Sequence, residues 1–421
     1  MALLVQSYGF YAPDGGGGTQ VEILNSSYWG SEAPKTHLLV AATTDGNGGG
    51  AGGRVEEHIR AGWGWSDATD QVAIGVQSRG GIGTSDTDRI HTDDYTTNPL
   101  RGTSGIYERA TTDSYTASTP RITQTWTESA DDGYNYWLLA LGGSDVENIS
   151  IDTITGATST GDVSYTGPGF QPDFLIVMWG SLTSVSSTIS GNLEAGMGFS
   201  DGTTDAVIRG CSVDAVSTSQ TNSVLSANFI HEYNASTEAN TDVATVKSLD
   251  SGGYTLTWSA ADATARKYTI IAVKGPSAKV VTTTQPASDG NNDVSAGFIP
   301  KGGICIGAMK TASASVSPHN RIMTGSWDQN NNMNSSGWMD EDDVSTMDTD
   351  RYLSAAYSIQ NYGHAQNLVG RAAVAVNGNG IRETWSSTDG TQYAHSWLLL
   401  GDKGSAATTT NEAFLLFLDT L

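Results

Sequence analysis

Two kinds of apolar stretch alternate along the chain, set between long intervals of Ser, Thr, Asn and Gly. The first kind alternates apolar with polar positions: RITQTW at 121–126, YTLTW at 254–258 and IRETW at 381–385. The second is an unbroken apolar run closed by glycine: YWLLALGG at 136–143, YTIIAVKG at 268–275 and SWLLLGD at 396–402. Side chains of a strand point alternately to its two faces. Tyr254, Leu256 and Trp258 therefore share a face, as do Ile122 and Trp126, and Ile381 and Trp385; the middle positions of these last two copies are Gln124 and Glu383. A strand with one apolar and one Thr-rich face covers a core and keeps its polar side wet. The unbroken runs have no polar face, which predicts central strands covered on both sides.

Upstream of each alternating strand stands a proline followed by an apolar strand: APKTHLLVAA around Pro34, FQPDFLIVMWG around Pro172 and FIPKGGICIGAM around Pro300. From these prolines to Trp126, Trp258 and Trp385 the intervals are 92, 86 and 85 residues. Between them lie DTDRIHTDDY (86–95), QTNSVLSANF (220–229) and DTDRYLSAAY (348–357). A fourth motif reads GWGWSD (62–67) and GMGFSDG (196–202), with GSWD (325–328) as its blurred third copy. Four motifs in one order at matching spacing read as an internal repeat. A polar strand opens the second and third copies, at 150–167 and 280–297, and residues 1–24 do the same job in the first. The expected units are 1–144, 145–276 and 277–404. Residues 405–421 form a C-terminal strand or docking tail, because AFLLFLDTL (413–421) is too short to span a membrane.

Short strands bounded by glycine turns, with no long 3.6-residue periodicity, predict an all-β fold. The fold class that satisfies all of this is three tandem jelly-roll-like antiparallel β-sandwich units. One Trp at the same place in each unit, burying about 150–250 Å², reads as a core element.

Composition narrows the function. The net charge of −24 and pI near 4.4 exclude binding nucleic acid through phosphate neutralisation and disfavour an anionic membrane surface. Cys211 and Cys305 lie 94 residues apart, which gives neither a disulfide framework nor zinc spacing. The N-terminal residues lack a basic region followed by a long apolar one, so no signal peptide is expected. The histidines at 37, 58, 91, 231, 319, 364 and 395 make no close metal spacing, and His58 beside Glu56 and Glu57 reads as a solvated turn. The glycine runs at 14–19 and 45–53 lack the Lys and strand–helix context of a phosphate loop. The acidic stretch DEDDVSTMDTD (340–350) is the one place rich enough in oxygen for calcium, without the EF-hand spacing. The DTDR sequences at Asp86–Arg89 and Asp348–Arg351 suggest a structural carboxylate–Arg pair at a strand start. Tyr8, Tyr11, Tyr28, Trp29, Trp63 and Trp65 crowd the first unit, either as sugar-stacking platforms or, by the favoured alternative, as core and interface filling. No catalytic, cofactor-binding or metal residues are assigned, and no cofactor is expected; a ligand site is unknown.

The series GFQPDFLIVMWG, GMGFSDGTTDAVIRG and DSGGYTLTWSAADATARKYTIIAVKG resembles a β-sandwich unit encoded among the virion genes of tailed bacteriophages and related viruses. The match covers residues 150–276 well and the first and third units loosely. The resemblance implies a virion component; with no catalytic constellation and an acidic surface, the expectation is a non-enzymatic capsid decoration or cement protein on the head. Its implied partners are other virion proteins, the major capsid protein first, and further copies of itself. The alternatives are a tail, fibre or spike component that contacts the host through sugars, and a secreted carbohydrate-binding protein.

Overall fold

The computed structural model describes residues 3–13, 17–42, 54–56, 58–101, 105–106, 108–128, 135–234, 239–311, 316–363 and 367–404. Among these the regular structure is β apart from the single-turn helix Ser26–Trp29, and neighbouring strands pair antiparallel. Three large sheets have seven strands each. The first runs, in spatial order, Leu3–Tyr11, Asn135–Gly143, Pro34–Ala42, His58–Ser66, Gln71–Arg79, Thr87–Thr92 and Ser186–Gly191. The second runs Asn148–Thr155, Lys267–Lys274, Phe174–Trp179, Leu193–Ser200, Asp205–Ser212, Thr221–Ser226 and Ser317–Pro318. The third runs Ser277–Thr284, Ala394–Gly401, Pro300–Lys310, Asn320–Asp328, Met333–Asp340, Thr349–Ser354 and Arg54–Glu56.

A smaller sheet packs on each. Arg109–Thr116, Arg121–Glu128 and Gly18–Ile23 make the first. The second has four strands, Gly161–Tyr165, Gly253–Ala260, Asn240–Asp250 and Ile230–Tyr233, and the third also four, Gly290–Ser295, Gly380–Ser386, Asn367–Val376 and Ile359–Gly363. Trp126, Trp258 and Trp385 lie between large and small sheets, each 1–2% exposed. They sit in three separate sandwich cores.

The outer faces of these sandwiches do not account for the unbroken apolar runs. In the Asn135–Gly143 strand, Tyr136, Leu138 and Ala140 enter the sandwich core, while Trp137, Leu139 and Leu141 enter a different one. That second core is common to all three large sheets. It gathers Val40, Trp63 and Ile74 with Ile176, Met197 and Ile208, and with Ile304, Ile322 and Trp338. Each large sheet is thus buried on both faces, which is why its central strands show no alternation.

The seventh strand of each large sheet comes from elsewhere in the chain. Ser186–Gly191 pairs with Thr87–Thr92, Ser317–Pro318 with Thr221–Ser226, and Arg54–Glu56 with Thr349–Ser354. The first sheet takes a strand from the middle of the chain, the second from the C-terminal third, and the third from the N-terminal third. The exchange therefore closes on itself. A sequence that reads as three beads on short linkers is arranged as a closed ring around one core, because the inner faces of the large sheets are as apolar as the outer ones.

The GWG-type motif has a local reason. A Cβ on Gly64 would stand 1.5 Å from the Thr96 carbonyl oxygen, on Gly198 2.4 Å from that of Phe229, and on Gly325 1.8 Å from that of Ser358. Only glycine fits where the backbone leading to the small sheet crosses so closely.

Candidate functional site

The acid that ends the same motif works at the seams. Asp67 Oδ1 accepts from Thr69 N and Asp70 N, at 2.8 Å each, and caps its own hairpin turn. Asp201 Oδ1 does so with Thr203 N (2.9 Å) and Thr204 N (2.7 Å), and Asp328 Oδ1 with Asn330 N (2.8 Å) and Asn332 N (3.2 Å). The second oxygen of two of them reaches the neighbouring sheet: Asp201 Oδ2 accepts from Val280 N and Asp328 Oδ2 from Ser7 N, both at 2.9 Å. Lys279 Nζ adds an ion pair to Asp201 at 3.1 Å. GSWD, blurred in sequence, keeps the acid that the turn and the seam require.

The three large sheets meet at Ser78, Ser212 and Asp340, each at or next to the end of the fifth strand of its sheet. Ser212 Oγ donates to Asp340 Oδ2, and Asn320 Nδ2 donates to Ser212 Oγ at 3.0 Å. Burial pushes the Asp340 carboxyl up to about 7, against hydrogen bonds from Ser212, Ser78 and Asn320 that favour its charged form. The acidic stretch that follows stitches the sheets together. Asp342 Oδ1 accepts from Thr221 N at 2.7 Å, and His319 Nδ1 accepts from Asp342 N at 3.0 Å. Ser219 N donates to Val344 O, and Gly81 N to Met347 O. The notch lined by Arg321, Met339, Asp340, Glu341 and Asp348 has no interior space the size of a water molecule. Among the described residues no three His, Cys, Asp or Glu side chains converge as metal ligands.

Much of the buried charge is held in ion pairs and hydrogen-bond networks. Arg209 Nε donates to Glu232 Oε2 at 2.5 Å, its guanidinium lies 4.1 Å from the Tyr233 ring centre, and Trp179 Nε1 and Ser181 Oγ also donate to Glu232. Glu194 bridges Arg209 (3.7 Å) and Arg89 (3.4 Å). Arg89 Nη1 also donates to the Gly191 and Asn192 carbonyls at 2.5 and 2.9 Å. Arg89 of the first DTDR thus pairs across the seam with Glu194, while Asp86 meets Arg79 at 3.8 Å. In the third sandwich core Glu383 is fully buried and accepts from Trp385 Nε1 (3.0 Å), Trp397 Nε1 (2.8 Å), His395 Nε2 (2.7 Å) and Asn292 Nδ2 (2.9 Å). Burial works to raise its pKa, yet these donors together with His395 charge hold it below the usual carboxylate range. Such a carboxylate is anchored on every side and has no open face for a substrate.

The remaining histidines and the two thiols are held by neighbouring groups or buried within the fold. His37 meets the Tyr115 hydroxyl at 2.9 Å and His91 the Thr269 hydroxyl at 2.9 Å; burial lowers both to about 3, so both are neutral. His231 lies between Ser226 (2.9 Å) and Asn240 (3.0 Å). His58 Nδ1 accepts from Gly80 N at 3.1 Å. Cys211 and Cys305 are both buried free thiols, raised by burial. Trp29, Trp63 and Trp65 are at most 1% exposed, and Trp63 packs 5.1 Å from Trp338 across the shared core. These rings fill cores, as the favoured alternative held, and offer no stacking platform; of the six aromatics only Tyr11 is exposed, at 51%. His364, Glu57, residues 45–53 and AFLLFLDTL at 413–421 lie outside the described residues. No protein-family model, curated protein or solved structure matches the chain.

Proposed function

We propose that the chain is a non-enzymatic structural protein of a tailed-virus particle, a decoration or cement protein seated on the head. Its partners are the major capsid protein and further copies of itself. The observation that carries this reading is the cyclic placement of three large sheets around one core, each closed by a strand from the next. One chain then presents three similar faces, as a closed trimer does, and suits a threefold or quasi-threefold position of a symmetric shell. The hydrogen bonds that tie buried acids and histidines to neighbouring side chains support a packing role. The acidic charge of −24 supports a hydrated outer surface. Host contact by sugar stacking loses the Trp63 and Trp65 rings that motivated it, since both are buried.

Isolated capsids mixed with the purified chain provide the test. The expected result is saturable binding at a fixed number of copies per capsid, with a higher temperature of capsid disruption. Binding to tails or to host glycans with none to heads, or hydrolysis of a polysaccharide, would overturn the proposal.

A further inference from the structure

The loops that follow the fifth strand of each large sheet close a small ring of their own. They are residues 80–86, 213–220 and 341–348, and each leads into the sixth strand. Ser85 N donates to Val216 O at 2.9 Å, and Ser85 O accepts from Ala215 N at 3.0 Å. Ser219 does the same with Val344 (2.9 Å) and Asp343 (3.0 Å), and Met347 with Ile82 (2.9 Å) and Gly81 (2.7 Å). Each loop thus grips the next through two backbone bonds: first to second, second to third, third to first. The equivalence extends to conformation. Gly81, Ala215 and Asp343 share a left-handed backbone, with φ of 74°, 57° and 60°, although only glycine adopts it freely. Ser85, Ser219 and Met347 are all buried. The steps from Ser78 to Thr87, Ser212 to Thr221 and Asp340 to Thr349 are nine residues each.

Between its bonded positions each loop carries a two-residue tip: Gly83–Thr84, Ser217–Thr218 and Ser345–Thr346, all exposed. A Cβ on Gly83 would lie 3.9 Å from the Ser345 carbonyl oxygen, so these tips are neighbours. Ring closure fixes the bonded positions and asks nothing of the tips. Threonine nevertheless recurs at 84, 218 and 346, and none of the three hydroxyls bonds to a described residue. Asp214 and Asp342 turn back to cap Thr87 N (3.0 Å) and Thr221 N (2.7 Å). Within the three loops Asp343 is the only charged residue that is exposed. The turns at the opposite ends of the same strands, 67–70, 201–204 and 328–332, differ in length, and among the described residues no backbone hydrogen bond links them.

We infer that this crown of loops is the face by which the chain sits where three copies of one shell protein meet, each copy taking one threonine tip. The inference rests on the head-protein reading above and adds the face that makes the contact. Three equal tips offer a threefold partner the same contact three times, so contacts weak singly add up. Tips already fixed by backbone bonds lose little freedom on binding. Their small neutral side chains let a polar surface approach closely, with hydroxyls that both donate and accept.

Binding to isolated heads tests the inference, comparing the wild-type chain with Thr84→Arg, Thr218→Arg, Thr346→Arg, the three combined, and Thr69→Arg at the opposite strand ends. All four threonines are exposed, so the substitutions leave the fold in place, which an unchanged melting temperature verifies. Each single crown variant is expected to lose about ten-fold in affinity, alike in all three, and the triple variant to show no measurable binding. Thr69→Arg is expected to bind as wild type. Wild-type affinity in the triple variant overturns the inference and leaves the head reading standing. So does a loss confined to one of the three single variants, because the contact is then not threefold. Heads that do not bind the wild-type chain overturn both.

Discussion

Glu383 and Asp340 show how single acids are taken up into buried hydrogen-bond networks. The alternation of IRETW places Glu383 on the same face as Ile381 and Trp385, so its inward position was legible in the sequence. Its four donors come from three strands and were not. Asp340 lay in the stretch weighed for calcium, and the structure turns it into a hydrogen-bonded acid where the three large sheets meet. Its folded-state pKa is raised from 3.8 to about 7, so the folded state holds the proton more tightly than the unfolded chain. The associated stability is fully present below about pH 4 and is lost as pH rises towards 7, an effect on the order of 4 kcal/mol. Chemical denaturation between pH 4 and 8 is expected to show wild type losing stability relative to Asp340→Asn across that window; parallel curves would contradict the burial of this acid. Trp258→Ala is expected to lower unfolding free energy by roughly 3–5 kcal/mol in urea titration, as befits a ring 1% exposed within a sandwich core.

Strands were the most readable level. The Trp-bearing alternating strands and the apolar runs predict an inner edge and a covered centre, and the prolines predict strand starts; Pro34 and Pro300 begin theirs. What hydrophobic pattern cannot supply is the identity of the second covering layer. A run covered on both faces reads the same whether a helix, another sheet or a shared core lies behind it. The donated strands were invisible for a related reason. SSTISG at 186–191 and SP at 317–318 are short and polar, and their place is set by an edge far away in sequence. The Gly18–Ile23 strand is the reverse case: its apolar positions Val21 and Ile23 face outward while Glu22 is buried.

At the scale of the molecule, three large sheets share one hydrophobic core, exchange strands in a closed cycle and lock their seams with Asp201, Asp328, Arg89 and the junction at Asp340. Modules that share a core and lend each other strands have no separate folded state to fall back on. Proteins of this length commonly unfold in steps, domain by domain, so a single cooperative transition here is a demanding expectation. Differential scanning calorimetry of the full chain, alongside the excised segment 145–276, measures it most directly. The account predicts one transition whose calorimetric and van 't Hoff enthalpies agree, and an excised segment with no cooperative melt. Three separable transitions, or an excised segment that melts cooperatively as a monomer, would contradict it.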